Sequence, residues 1–307
     1  MTKRPTRNTA DGAAYLQLRA LARTAGRPTI ELIQLYALEG MLARIAVSHR
    51  SEDLVLKGGM LLAAYGARRP TRDLDLLARR ISNEVETVRA LVMELASIDL
   101  DDGLEFKTGR ATAEVIREGS AYSGVRVTLA ARLATAKIAL PVDVNVGDPV
   151  QPPAKMVRLP RLLNTTPLRV QGYPLTMVLA EKVATAVELG EVNTRWRDFA
   201  DLYTLRAETK PDGTELAASL DGVAKFRGLQ LSPLRPLLVA LPQVAQPRWT
   251  AWLRKQGLED RLPTEFEDVL EAVARFVDPA LTEADGTVGR TWDPATQRWE
   301  STKLPDR

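Results

Sequence analysis

Lys57-Gly58-Gly59, followed within sixteen residues by Asp73-Leu74-Asp75, constrains this chain more than any other stretch. The run Leu54-Val55-Leu56 leads into the glycines and reads as a strand. A short apolar segment, Met60 to Tyr65, reads as a brief helix within 59–64, and a basic turn, Arg68-Arg69-Pro70-Thr71-Arg72, follows it. Alternate residues of a strand share a face, so in a strand over 73–77 Asp73 and Asp75 project together while Leu74 and Leu76 enter a core.

Two carboxylates side by side repel unless positive charge sits between them. A divalent cation meets that need, and Mg²⁺ prefers hard oxygen ligands shared with substrate phosphates. Glycine lets backbone approach a phosphate closely, and a helix beginning there would aim N–H groups at it. Alone, an Asp-x-Asp is ordinary surface charge and a Gly-Gly an ordinary turn. In this order, flanked by apolar residues, they read as a metal-dependent nucleotide site.

A second acidic stretch is Leu140-Pro141-Val142-Asp143-Val144-Asn145-Val146-Gly147-Asp148. Leu140, Val142, Val144 and Val146 share one face of a strand over 139–146, and Asp143 and Asn145 the other. If this strand lies beside Asp73-Leu74-Asp75, Asp143 becomes a third carboxylate. A half-exposed edge strand, which shows the same alternation, is the lesser alternative.

Elsewhere, helical periodicity marks 13–25 and 29–47, the second capped by Thr29, as a packing layer. A further helix is expected over 83–98, capped by Ser82, and strand pieces over 104–106, 113–116 and 125–130. The gap Arg117-Glu118-Gly119-Ser120 is turn-like. Residues 1–10 are expected to be disordered, 149–173 to be an extended Pro-rich connector, and 285–307 a weakly structured tail. The composition then shifts toward helix, over 175–189, 216–226, 233–241 and 263–277. This places a domain boundary near Tyr173-Pro174: 1–173 a core with N-terminal helices, and 174–307 a helical C-terminal domain that completes the active site.

Two segments of that second half carry chemistry. Lys182, beside Glu181, shares a helix face with Val178, Leu179 and Ala186, where an ammonium needs an anionic partner. An exposed lysine on the polar face is the plainer alternative. In Arg195-Trp196-Arg197-Asp198-Phe199-Ala200-Asp201, Asp198 and Asp201 share a helix face and Arg195 stands three before Asp198. A salt-bridge lattice holding Lys182 is physically reasonable, and Asp198 could instead orient substrate or serve as a base. Asp201 is the weaker candidate, since Arg197 is one turn back. Trp249 and Trp252 with Arg248 and Arg254 form either a base-stacking patch or a seam where a helix meets the core.

Composition excludes several chemistries. The 307 residues contain no cysteine and one histidine, His49, so disulfides, thiolate sites, cysteine nucleophiles and multi-histidine zinc sites are absent. His49, in a polar stretch, reads as a loop residue. There is no Walker A string, kinase signature or GxGxxG fingerprint. No run of eighteen apolar residues and no signal-peptide h-region occur, so a cytoplasmic protein without a membrane partner is expected. The formal net charge of +3 is a mildly basic balance.

Lys57-Gly58-Gly59, the Arg72-Asp73-Leu74-Asp75-Leu76 string, the Glu181-Lys182 pair and the Arg195-to-Leu202 segment resemble the AbiEii-type nucleotidyltransferase toxins, including the MenT-type toxins of type IV-like toxin–antitoxin systems. The likeness runs from about residue 10 to about residue 206, and Arg197 stands where that family usually has lysine. The resemblance implies an α+β, DNA polymerase β-like nucleotidyltransferase fold. It implies transfer of NMP from an NTP to an RNA acceptor, the tRNA 3′ end above all, with a cognate antitoxin. It implies Mg²⁺ or Mn²⁺ on Asp73 and Asp75 and favours Asp143 as the third ligand. Catalytic roles then fall to Asp73, Asp75, Asp143, Lys182 and Asp198. Nucleotide binding falls to Lys57, Gly58, Gly59, Thr71, Arg72 and Lys182, the last on the phosphates. The alternatives are nucleotidylation of a protein or a small molecule such as an antibiotic, or an inactive binding module of the same fold.

Overall fold

In the computed structural model, which describes residues 4–118, 122–282 and 286–302, the apolar runs of the first half become one mixed seven-stranded sheet. The chain divides into two units: Met1–Ala64, Arg68–Asp148 and Ala154–Tyr173 form one, and Tyr65–Ala67, Pro149–Pro153 and Pro174–Arg307 the other.

The first unit opens with helices α1 (Ala10–Thr24) and α2 (Thr29–Val47). Thr9 caps α1, its hydroxyl accepting from the Gly12 N–H. Helix α2 is buried on nearly every side from Leu32 to Ile45, more than the single stripe its sequence suggests. Its two buried charges are paired, Arg44 with Asp102 at 2.5 Å and Glu39 with Arg68 at 2.9 Å.

Strand β1 (Leu54–Lys57) leads through a one-turn helix, α3 (Gly58–Leu61), and a 3₁₀ turn (Leu62–Tyr65) to β2 (Leu74–Ala78). Helix α4 (Val85–Ala96) follows, with the Ser82 hydroxyl accepting from the Glu84 N–H just before it. The strand pieces expected over 104–116 are one long strand, β3 (Leu104–Glu118), paired with β4 (Tyr122–Leu133). Gly119 and Ser120 of the expected turn lie outside the described residues. Then come β5 (Ala136–Val146), β6 (Lys155–Leu159) and β7 (Leu168–Gly172). The sheet order is β3-β4-β5-β2-β1-β7-β6, with β2–β5 and β1–β7 parallel and the other pairs antiparallel.

One expectation is corrected here and one alternative is removed. The stretch 149–173 contains β6 and β7, whose alternation is short and flanked by prolines but continues the sheet beyond β1. β5 is central, flanked by β4 and β2, so Asp143 is not on an edge strand.

The second unit is helical: α5 (Leu175–Leu189), α6 (Trp196–Glu208), α7 (Gly213–Arg227), α8 (Leu234–Leu237), α9 (Leu241–Gln256), α10 (Phe266–Val277) and α11 (Pro279–Thr282). Asp212 caps α7, accepting from the Glu215 N–H, and Gly228 ends it in the left-handed region. The expected tail is instead a hairpin, β8 (Arg290–Asp293) and β9 (Arg298–Ser301). Trp292 is buried there against Phe276 and donates its indole N–H to the Arg206 carbonyl at 2.7 Å. Trp249 is fully buried against Phe266 and stacked on Trp252, which makes that aromatic pair a packing seam. No helix among the described residues is long and apolar enough to cross a membrane.

Candidate active site

Asp73 immediately precedes β2 and Asp75 lies within it, while Leu74 and Leu76 are buried on the opposite face. The parallel register sets Asp75 beside Asp143 of β5. One carboxylate oxygen from each of Asp73, Asp75 and Asp143 lies within 4.8 Å of the others. Strand alternation and a single pairing therefore bring together three carboxylates from two distant stretches of chain.

The surroundings hold these groups in place. The buried Thr71 hydroxyl donates to Asp73 Oδ1 at 2.9 Å. The Gln34 amide on α2 donates to both the Arg72 and the Ala139 carbonyls at 3.0 Å, tying the loop before Asp73 to the strand that carries Asp143. Gly58 has φ +64°, and a Cβ there would stand 1.8 Å from Asp75 Oδ2. A Cβ on Gly59 would stand 2.6 Å from the Thr71 hydroxyl. The two glycines thus create room for the acidic cluster and its support. The brief helix expected over 59–64 is a single α turn, α3, running on into the 3₁₀ segment.

A row of charges crosses the sheet at this level. Consecutive strands set Glu114 opposite Arg126, Arg126 opposite Asp143, Asp143 beside Asp75, and Asp75 opposite Lys57. Lys57 is buried and donates to Asp148 at 3.0 Å. Its ammonium is thus an ion-pair partner of the chain's own Asp148 carboxylate. Arg126 Nε donates to Asp143 Oδ1 at 2.7 Å and Nη2 to Oδ2 at 2.6 Å. Those hydrogen bonds raise the Arg126 pKa above its ordinary value against partial burial, and the Asp143, Asp73 and Glu114 charges add to the effect. Arg126 and Asp148 are partners that sequence reasoning missed. The alternation Val125, Val127, Leu129 puts Arg126 on the Asp143 face, but only the β4–β5 register names its partner.

In the second unit Lys182 is largely buried on α5 and donates to Asp198 Oδ1 and Asp201 Oδ2, both at 2.7 Å. Arg195 Nε donates to Asp198 Oδ2 at 2.7 Å, and the Asn193 side-chain oxygen accepts from the Arg195 N–H. Asp201 is buried and pairs with Lys182 rather than with Arg197. Burial alone would raise the Asp198 pKa, but the Lys182 and Arg195 charges and hydrogen bonds outweigh it and hold the carboxyl at about 2. Arg72 is exposed, with its carbonyl on Gln34, and His49 is exposed in the turn after α2.

The chain matches the model of the AbiEii family, the nucleotidyl transferase toxins of type IV toxin–antitoxin systems, over residues 40–273. It belongs to that family, and is therefore an enzyme of the nucleotidyltransferase class whose kind acts on a nucleotide and is paired with an antitoxin. A candidate nucleotidyltransferase from H. pylori is similar in structure at 13% identity and a TM-score of 0.47, covering 83% of this chain and 97% of its own. JHP933 from Helicobacter pylori is similar at 14% identity and a TM-score of 0.47, covering 83% and 94%. No curated protein matches the chain.

Proposed function

We propose that this chain transfers NMP from an NTP to an RNA acceptor, the tRNA 3′ end, in a reaction that requires Mg²⁺ or Mn²⁺ on Asp73, Asp75 and Asp143. The observation that carries this reading is the convergence of the three carboxylates on neighbouring parallel strands. The donor set fits the ion: three hard oxygens without nitrogen or sulfur, and a glycine where any side chain would invade the cluster. When bound, divalent ions neutralise charge on the transferring phosphate and the attacking oxygen.

The chain's own residues supply the rest. Thr71 donates to one Asp73 oxygen and so fixes that carboxylate. Asp143, at the buried end of the cluster, is the group we assign to the acceptor hydroxyl, as a ligand-bearing carboxylate able to take its proton. Lys182 is positioned by Asp198 and Asp201, and the family resemblance assigns it to the triphosphate. The acceptor assignment is supported by the same resemblance and by the mildly basic balance of +3.

The test is incubation with each labelled NTP and, separately, total RNA, protein or aminoglycosides, followed by sequencing of RNA 3′ ends. Label on tRNA termini that disappears in EDTA is expected. Labelled protein or aminoglycoside with unmodified tRNA would overturn the acceptor.

A further inference from the structure

The acidic cluster already contains one cation of its own. Arg126 grips Asp143 with a two-pronged pair of short hydrogen bonds, and the sheet register sets the two residues directly opposite. The fork uses both carboxylate oxygens, the geometry in which guanidinium binds carboxylate best. Asp143 is 4% exposed and cannot turn away, whereas the Arg126 side chain is 36% exposed and can. The negative charges of Asp73 and Glu114 also act on Arg126.

A divalent ion shared by Asp73, Asp75 and Asp143 needs an Asp143 oxygen, and Arg126 already donates to both of that carboxylate's oxygens. With the fork in place that ion would meet a guanidinium across one carboxylate, and like charges at such spacing repel strongly. We propose that Arg126 is a positioning residue that competes with the divalent cation for Asp143, so that full metal binding requires the guanidinium to swing out. The fork places a positive charge against the converging carboxylates before metal and nucleotide arrive. It also makes Asp143 the last of the three to engage. The inference rests on the metal reading of the triad proposed above.

Mn²⁺ binding to the nucleotide-free full-length protein, followed by electron paramagnetic resonance, tests it. Arg126→Gln should tighten Mn²⁺ by about tenfold, the scale of removing one nearby like charge. Arg126→Lys, which keeps the charge and loses the fork, should fall between Arg126→Gln and the unmodified chain. The gain should vanish in an Asp143→Asn background, because competition needs the shared carboxylate. Unchanged or weaker binding by Arg126→Gln would overturn the proposal, as would an equal gain in the Asp143→Asn background. Absence of Mn²⁺ binding in every variant, the unmodified chain included, would instead bring down the metal reading itself. Should Arg126→Gln not fold, a Mg²⁺ titration of the unmodified protein decides through the ¹⁵N signal of Arg126 Nε–H. That proton should lose protection from exchange as Mg²⁺ binds, and continued protection at saturating Mg²⁺ refutes displacement.

Discussion

A Cβ on Gly58 would sit 1.8 Å from Asp75 Oδ2, so the glycine turn and the acidic strand are made for one another. Gly58→Ala adds a steric conflict to a left-handed backbone, at a combined cost of about 1–3 kcal/mol. Because Asp75 must shift to relieve the conflict, Mn²⁺ affinity should fall as well. Paired urea denaturation and Mn²⁺ titration check this. A variant that loses stability yet binds the ion as before would show that Asp75 is not a ligand.

Asp73→Asn should abolish nucleotide transfer, because it removes one of the three carboxylates that converge within 4.8 Å. Transfer assays in Mg²⁺ read the loss. Retained transfer would contradict the site assignment.

Lys182→Ala leaves Asp198 and Asp201 without their shared ammonium. Removing one partner of a buried ion pair costs about 3–5 kcal/mol, so the variant should be weakened in stability as well as in NTP binding. Asp201→Asn is the sharper probe, because it keeps the lysine charge and one of its two carboxylates. If Lys182 serves the triphosphate, NTP affinity should survive in Asp201→Asn and fall in any folded Lys182→Ala protein, as measured by calorimetry.

Acid should act through Asp198. Its carboxyl is lowered from an ordinary value of 3.8 to about 2, so its contribution is complete above about pH 4 and is lost as pH falls toward 2. The contribution is about 2 kcal/mol. In urea unfolding at stepped pH, Asp198→Asn should flatten the slope in this window. An unchanged slope would place the acid sensitivity elsewhere.

Trp292→Ala should cost about 3–5 kcal/mol, as for a large aromatic removed from a core. It also leaves the Arg206 carbonyl without the indole N–H. Denaturation of the full chain reads this. A change below about 1 kcal/mol would return the C-terminal hairpin to the status of a tail.

How much of this was legible depended on the range of the interaction. Periodicity places β1, β2 and β5 and puts Asp73, Asp75 and Asp143 on their faces, because alternation is local. The β2–β5 pairing is not local, so the sequence leaves Asp143 poised between an edge strand and a third ligand until the register is seen. Arg126, Asp148 and Asp201 were missed or misassigned for the same reason: each partner lies on another element. β6 and β7 were hidden by prolines and basic residues, and the hairpin β8–β9 by its short strands and polar composition.

The parallel alignment of β2 with β5 also sets a schedule for the newborn chain. Parallel neighbours cannot be joined by a tight turn, and here α4, β3 and β4 intervene. A nascent polypeptide that has emerged past Asp75 but not past Asp143 holds two carboxylates and lacks the third. Closing the long intervening loop carries an entropic cost and is slow relative to local structure. For a member of a toxin family, the consequence is a built-in delay. The acidic triad comes into being only after most of the first unit has left the ribosome, so no partly made chain that stops short of Asp143 carries the complete set of carboxylates.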